Sequence, residues 1–109
     1  PDNIGGLTAL EELDLAGNAL SYLPESIGQL SSLRVLGLGG NPLVSLPSSL
    51  FQLTQLEMMS ISGSKIEQLP PEIGRFEKLT QLALFNCNFA PKDRLLLQSY
   101  LPNCKLFWE

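Results

Sequence analysis

Histidine is absent from this 109-residue chain, which removes the side chain most often used as a general base near neutral pH and as a nitrogen ligand for metals. Cysteine is scarce. Two residues, Cys87 and Cys104, are too few for a disulfide framework, and two thiols without histidine make a poor metal set. Positive charge is thin as well: seven Lys and Arg residues are scattered along a chain of net charge -4, which offers no pull on a phosphate backbone. Long apolar runs are missing, since the hydrophobic residues come in short, evenly spaced groups far below the roughly 18 consecutive positions of a membrane span. These absences argue against a nucleic-acid binder, a membrane-spanning protein, a metal or cofactor enzyme and a disulfide scaffold. Disorder is excluded by what is abundant, because 44% of the residues are hydrophobic and 24 of the 109 are leucine.

The leucines fall in register at a period of 23 residues. Leu10, Leu33, Leu56 and Leu79 form one column, and Leu13, Leu36, Met59 and Leu82 a second. Leu15, Leu38, Ile61 and Leu84 make a third, and Leu20, Leu43, Ile66 and Phe89 a fourth. Between them runs Asn18, Asn41, Ser64, Cys87. The second half of each unit is equally regular, with Leu23-Pro24, Leu46-Pro47 and Leu69-Pro70 followed by Ile27, Leu50 and Ile73, then by Leu30, Leu53 and Phe76. Gly28 and Gly74 follow the first and third of these.

Written out, Leu10 to Leu20 reads L-x-x-L-x-L-x-x-N-x-L, continued by L-P-x-x-I-G-x-L-x-x-L, and this resembles the leucine-rich repeat family over residues 1 to about 90. The variant is similar to the intracellular, Ras-group-like subclass found in eukaryotic signalling scaffolds and many bacterial proteins. The resemblance implies an α/β solenoid, a horseshoe fragment with a parallel concave sheet and an irregular or 3-10 convex side. It tolerates cysteine in the asparagine column; serine there is a departure.

The physical reading agrees with that implication. Alternation at period two makes a short strand whose leucines face one side, so Leu13 and Leu15 point inward while Glu12 and Asp14 face out. Proline at 24, 47 and 70 lacks an N–H and fixes φ, which suits a turn on the outer side and not a central strand. Each unit buries its leucines only against its neighbours, so stability is close to a nearest-neighbour sum. A buried amide at 18 or 41 bridges backbone groups of adjacent turns; Ser64 and Cys87 reach less far, so the ladder is expected to loosen toward the C-terminus.

Three regions are expected: a partial repeat at 1–9, repeats of 23 residues over 10–90, and a C-terminal cap at 91–109. Pro1, Ile4 and Leu7 fall 23 before Pro24, Ile27 and Leu30, so the chain opens inside a repeat, and a truncated N-terminal edge prone to self-association is expected. Pro91 to Tyr100 reads as a helix with Asp93 in its first turn, where Leu96 with Tyr100 and Leu97 with Leu101 form i, i+4 pairs over the end of the array. Leu101 to Trp108 then reads as a final strand, and its L-P-N-C start resembles the ending of bacterial leucine-rich repeat proteins.

No catalytic residue, cofactor or metal is expected. Gly37-Leu38-Gly39-Gly40 has Pro42 where a dinucleotide fingerprint needs glycine, and its glycines read as outward strand positions with little side chain. The cysteines read as buried core thiols, not as a nucleophile or a disulfide. The outward strand rows are more informative. They run Glu12, Val35, Met58, Gln81, then Asp14, Gly37, Ser60, Ala83, then Ala16, Gly39, Ser62, Phe85. Val35, Met58 and Phe85 are apolar where solvent belongs, and with Glu12, Asp14, Arg34 and Gln81 they form the candidate partner-binding set. Carboxylates at 11, 12, 14 and 57 gather around Arg34 as a charged margin.

The expected function is a scaffold that binds a protein partner on the concave face. The alternative is the substrate-recognition region of a larger bacterial effector or signalling enzyme whose catalytic domain lies elsewhere. A cytoplasmic setting is expected, with secretion as an effector left open.

Overall fold

The L-x-L segments form strands, and the period of 23 becomes the register of a sheet. In a computed structural model of the chain, residues 7–108 are described. The expected partial repeat at 1–9 lies largely outside them, as does Glu109. Strands β1 (Glu12–Asp14), β2 (Val35–Gly37), β3 (Met58–Ser60), β4 (Gln81–Ala83) and β5 (Lys105–Phe107) run parallel in the order β1-β2-β3-β4-β5. Glu12 pairs with Val35, Val35 with Met58 and Met58 with Gln81, each one repeat apart, so residues in one column stack in one row.

The return path is built by the prolines. Pro24, Pro47 and Pro70 sit in extended backbone and each opens a 3-10 turn, at Glu25–Gln29, Ser48–Gln52 and Pro71–Arg75. Their carbonyls accept from the N–H of Ile27, Leu50 and Ile73 at 3.0–3.1 Å, and those residues in turn accept from Leu30, Leu53 and Phe76. The i, i+3 spacing thus closes the turn and drives its apolar residue back into the core. Ile27, Leu50 and Ile73 are fully buried beneath the turns.

The columns bury unevenly. In columns two to four every member from Leu36 onward is buried, whereas Leu10, Leu13, Leu15 and Leu20 are half-buried because the described residues offer them a neighbour on one side only. Phe51 takes the place of Gly28 and Gly74 in its column and packs 5.7 Å from Phe76 between ring centroids. That aromatic pair joins two repeats across the convex side.

The glycines divide by role. Gly37 and Gly39 do lie in the outward rows, but Gly40 is a turn residue with φ 73, in a column with Gly17 at 70 and Gly63 at 74. The fourth member is Asn86 at φ 61, the side chain that best tolerates left-handed backbone. The chain reverses out of each strand there, in a backbone conformation that residues with a branched β-carbon strongly disfavour.

At the C-terminal end, α1 spans Pro91–Tyr100 with Asp93 in its first turn. Leu97 and Leu101 are buried against the last repeat, while Leu96 is 48% exposed and covers little of it. The final strand is shorter than the run from Leu101 to Trp108. Residues 101–104 form a turn, with the Cys104 N–H donating to the Leu101 carbonyl at 3.2 Å, and pairing begins at Lys105. Phe89 and Trp108 close the corner edge-to-face at 5.1 Å. Among the described residues no helix is long and apolar enough to cross a membrane.

Candidate functional site

The outward rows of the sheet make one continuous face. Its first row is Glu12, Val35, Met58, Gln81 and Lys105, and its second is Asp14, Gly37, Ser60, Ala83 and Phe107. Met58 and Phe85 are 41% and 39% exposed, a large fraction for apolar side chains on an ordered sheet, and Val35 is half-buried beside Met58. Val35, Met58, Met59, Gln81, Ala83 and Phe107 line a shallow apolar hollow of about 160 Å³. Phe85 continues it, with its ring 6.3 Å from that of Phe107.

A small residue on a sheet face lets another backbone come close only where its space is open. At Gly37 the space is already used: a β-carbon there would stand 2.9 Å from the Asp14 carboxylate, whose Oδ1 accepts from the Ala16 N–H at 3.0 Å. Ser60 and Ser62 are likewise engaged, their hydroxyls 3.3 Å apart and the latter accepting from the Phe85 N–H at 3.0 Å. The polar floor of the face is self-satisfied, so its apolar side chains and its outer charges are what it offers.

The charged margin separates into two sets. Arg34 is bracketed one repeat on either side, its Nε donating to Glu57 Oε2 at 3.1 Å and its Nη1 to Glu11 Oε1 at 3.3 Å. The hydrogen bond to Arg34 draws the Glu57 carboxyl below its usual range, and the same contacts raise the guanidinium. Arg34 therefore offsets one of the two carboxylates it bridges, leaving the trio one negative charge beside the face, while Glu12 and Asp14 point onto it and make no ion pair among the described residues.

Four residues of this region were not in the candidate set. Lys105 lies with its ammonium 5.4 Å from the Phe107 ring, and the Arg94 guanidinium stacks 4.4 Å over Trp108. They escape the 23-residue period because α1 intervenes: Gln81 pairs with Lys105, an offset of 24, so the column cannot be extended by counting. The signal in the sequence is the apolar Leu106, which pairs with Leu82.

The asparagine column is structural. Asn41 is wholly buried, and its Oδ1 accepts from the N–H groups of Asn18 and Leu20 at 2.9 and 3.0 Å. Its Nδ2 donates to the carbonyls of Leu15 and Leu38 at 2.9 and 3.0 Å, which exhausts the amide's capacity. Asn18 is exposed, and among the described residues its side chain bonds only within its own turn. The Ser64 hydroxyl accepts from the Ile66 N–H at 3.3 Å, and the Cys87 thiol donates to the Ile61 carbonyl at 3.3 Å. Both cysteines are free and buried, and burial pushes the Cys104 thiol up to about 11, away from thiolate chemistry.

Comparison with known proteins gives the same architecture. The family model described as a leucine-rich repeat region matches residues 1–98. A solved leucine-rich repeat protein of Leptospira interrogans superposes with a TM-score of 0.95 at 32% identity, over 99% of this chain and 28% of its own length. The chain thus spans 28% of that relative. No curated protein matches it.

Proposed function

The chain belongs to the leucine-rich repeat family, and from that premise we propose that it is a protein-binding scaffold whose concave face, centred on Val35, Met58 and Phe85, receives a protein partner. Repeat scaffolds of this family are generally non-catalytic. The observation that carries the reading is the exposure of Met58 and Phe85 around an apolar hollow whose floor has no polar need of its own. Glu12, Asp14 and Gln81 form its polar margin, and Arg34 acts through the pair that fixes Glu11 and Glu57 beside it.

Size sets the strength of the interaction. Five three-residue strands at about 4.8 Å spacing, each about 10 Å long, present about 190 Å², about a quarter of what each partner gives to a standard interface of about 800 Å² per side. The chain alone is a weak binder, and tight binding calls for more surface. A cytoplasmic setting is supported by the two free thiols and the lack of any disulfide framework.

A second reading makes the array the substrate-recognition region of a bacterial effector or signalling enzyme. Its support is that the Leptospira relative has 72% of its length outside the matched part, 100 less 28. The gene sequence around this chain separates the two, since a catalytic domain favours the second and further repeats the first. The scaffold reading itself is tested by affinity capture with wild type and with Val35→Asp, Met58→Lys and Phe85→Asp combined. Partners retained by wild type and lost by the folded triple variant support it. Identical partner sets overturn it.

A further inference from the structure

Resting on the concave-face reading, we infer that the partner segment is an amphipathic helix of about 13 residues lying across the strands in one direction. Its acidic first turn lies over Lys105 and Arg94, its apolar stripe over Phe107, Met58 and Val35, and its basic last turn over Glu12 and Asp14.

The first observation is the charge order along one row. From β1 to β5 the row reads acidic, apolar, apolar, polar, basic: Glu12, Val35, Met58, Gln81, Lys105. The second row repeats it at its acidic end with Asp14 and ends on Phe107. Neither Glu12 nor Lys105 has an ion-pair partner among the described residues, and Arg34 is committed to Glu11 and Glu57. Arg94 adds a second cation beyond Phe85, stacked on Trp108 in a hollow shared with Asn86. Opposite charges thus stand at the two ends of an apolar strip, four strand spacings or about 19 Å apart.

The second observation is what the face withholds. The sheet backbone is spent on itself, as in Leu15 to Gly37, Leu38 to Ser60, Ile61 to Ala83 and Leu84 to Phe107 at 2.7–3.0 Å. The hydroxyls of Ser60 and Ser62 are spent too. An extended segment crossing the strands would find no partner for its own N–H and C=O groups, whereas a helix brings them already paired. Three-residue strands, about 10 Å long, match a helix diameter of about 10–12 Å. At about 1.5 Å per residue, 19 Å corresponds to about 13 residues.

Direction follows from the helix dipole. Carboxylates stabilise a helix at its N-terminus and cations at its C-terminus. A helix with acids first and bases last satisfies its own dipole and the Glu12-to-Lys105 gradient together. The opposite orientation sets the two against each other.

The probes are two fluorescein-labelled 14-residue peptides of identical composition and apolar spacing, one with Glu-Glu first and Lys-Arg last, the other with these ends exchanged. Anisotropy at low ionic strength is read for the 109-residue chain, for the exposed double variant Glu12→Lys with Lys105→Glu, and for Met58→Asp. The acid-first peptide is expected to bind wild type about tenfold tighter, from two to four exposed charge contacts. That ratio is expected to fall to about one or below in the double variant, which removes any difference in the peptides' own helicity. An unchanged ratio, or no binding by either peptide, overturns the inference. Equal binding of both peptides that Met58→Asp abolishes overturns the direction and spares the face; binding that Met58→Asp leaves untouched overturns both.

Discussion

The Ser64 hydroxyl lies 3.6 Å from the Cys87 thiol one repeat along, and this contact stands where Asn41 makes four hydrogen bonds at 2.9–3.0 Å. The column is one structural device with two strengths. At Asn41 a single amide holds two carbonyls and two N–H groups of two adjacent turns. At Ser64 and Cys87 the work is shared between two short side chains, each meeting one backbone group at 3.3 Å.

Asn41→Ala is therefore expected to lower stability by at least about 3 kcal/mol, since several buried backbone groups lose their partner at about 1–3 kcal/mol each. Ser64→Ala, which orphans the Ile66 N–H alone, is expected to lose about 1 kcal/mol. Urea midpoints of the two variants against wild type check the ranking. Equal losses would show that the column does not carry the inter-turn bonding described.

Gly28 and Gly39 make a second contrasting pair. A β-carbon on Gly28 would lie 2.5 Å from the Ser49 carbonyl oxygen and 2.6 Å from the Ser49 β-carbon, in the next turn of the convex side. One on Gly39 would meet nothing closer than 3.5 Å. Gly28→Ala is expected to destabilise by about 1–3 kcal/mol through overpacking, and Gly39→Ala to stay within about 0.5 kcal/mol of wild type. Thermal melts of both variants decide it.

Most of the fold was legible because one period governs it. Leu36, Leu38 and Leu43 are inside for the same reason as Leu82, Leu84 and Phe89, and one repeat read correctly supplies the others. Legibility ended where the period did. Lys105 and Phe107 reach the face through an offset of 24, and Leu96 is exposed because α1 presents Leu97 and Leu101 instead. The left-handed role of Gly40 is local backbone chemistry that hydrophobic spacing does not report, although Gly17, Gly40 and Gly63 stand in a column. Of the candidate site, Val35, Met58 and Phe85 were visible as outward apolar residues, but the commitment of Arg34 to Glu11 and Glu57 depends on side-chain geometry.

The cysteines give a pH-dependent prediction. Burial raises the Cys104 thiol from 9.0 to about 11 in the folded protein. Between those values the unfolded chain has lost a proton that the folded chain keeps, so this thiol's contribution is full below about pH 9 and declines as pH rises to about 11. Cys104→Ala is expected to flatten that part of the stability profile. Thiol titration without reductant should find neither group reactive in the native protein at pH 8 and both reactive after denaturation, because Cys87 and Cys104 are buried and unpaired. Finding no free thiol in the denatured protein would establish a disulfide and overturn this assignment.

The last prediction concerns β1. Within the described residues it pairs on one side only, with β2, and the leucines beneath it at 10, 13, 15 and 20 are half-buried, with Leu7 54% exposed beside them. An unpaired parallel edge beside partly open leucines is a surface on which a second copy can pair strands and bury side chains. The isolated 109-residue chain is therefore expected to self-associate through this edge, its light-scattering mass rising with concentration. Fusing a polar capping repeat ahead of residue 7 should hold it monomeric and slow hydrogen exchange over residues 10–20 toward that of 56–66. If the unfused chain is monomeric at all concentrations and its amides at 10–20 are already as protected as those at 56–66, the edge needs no partner and the prediction fails.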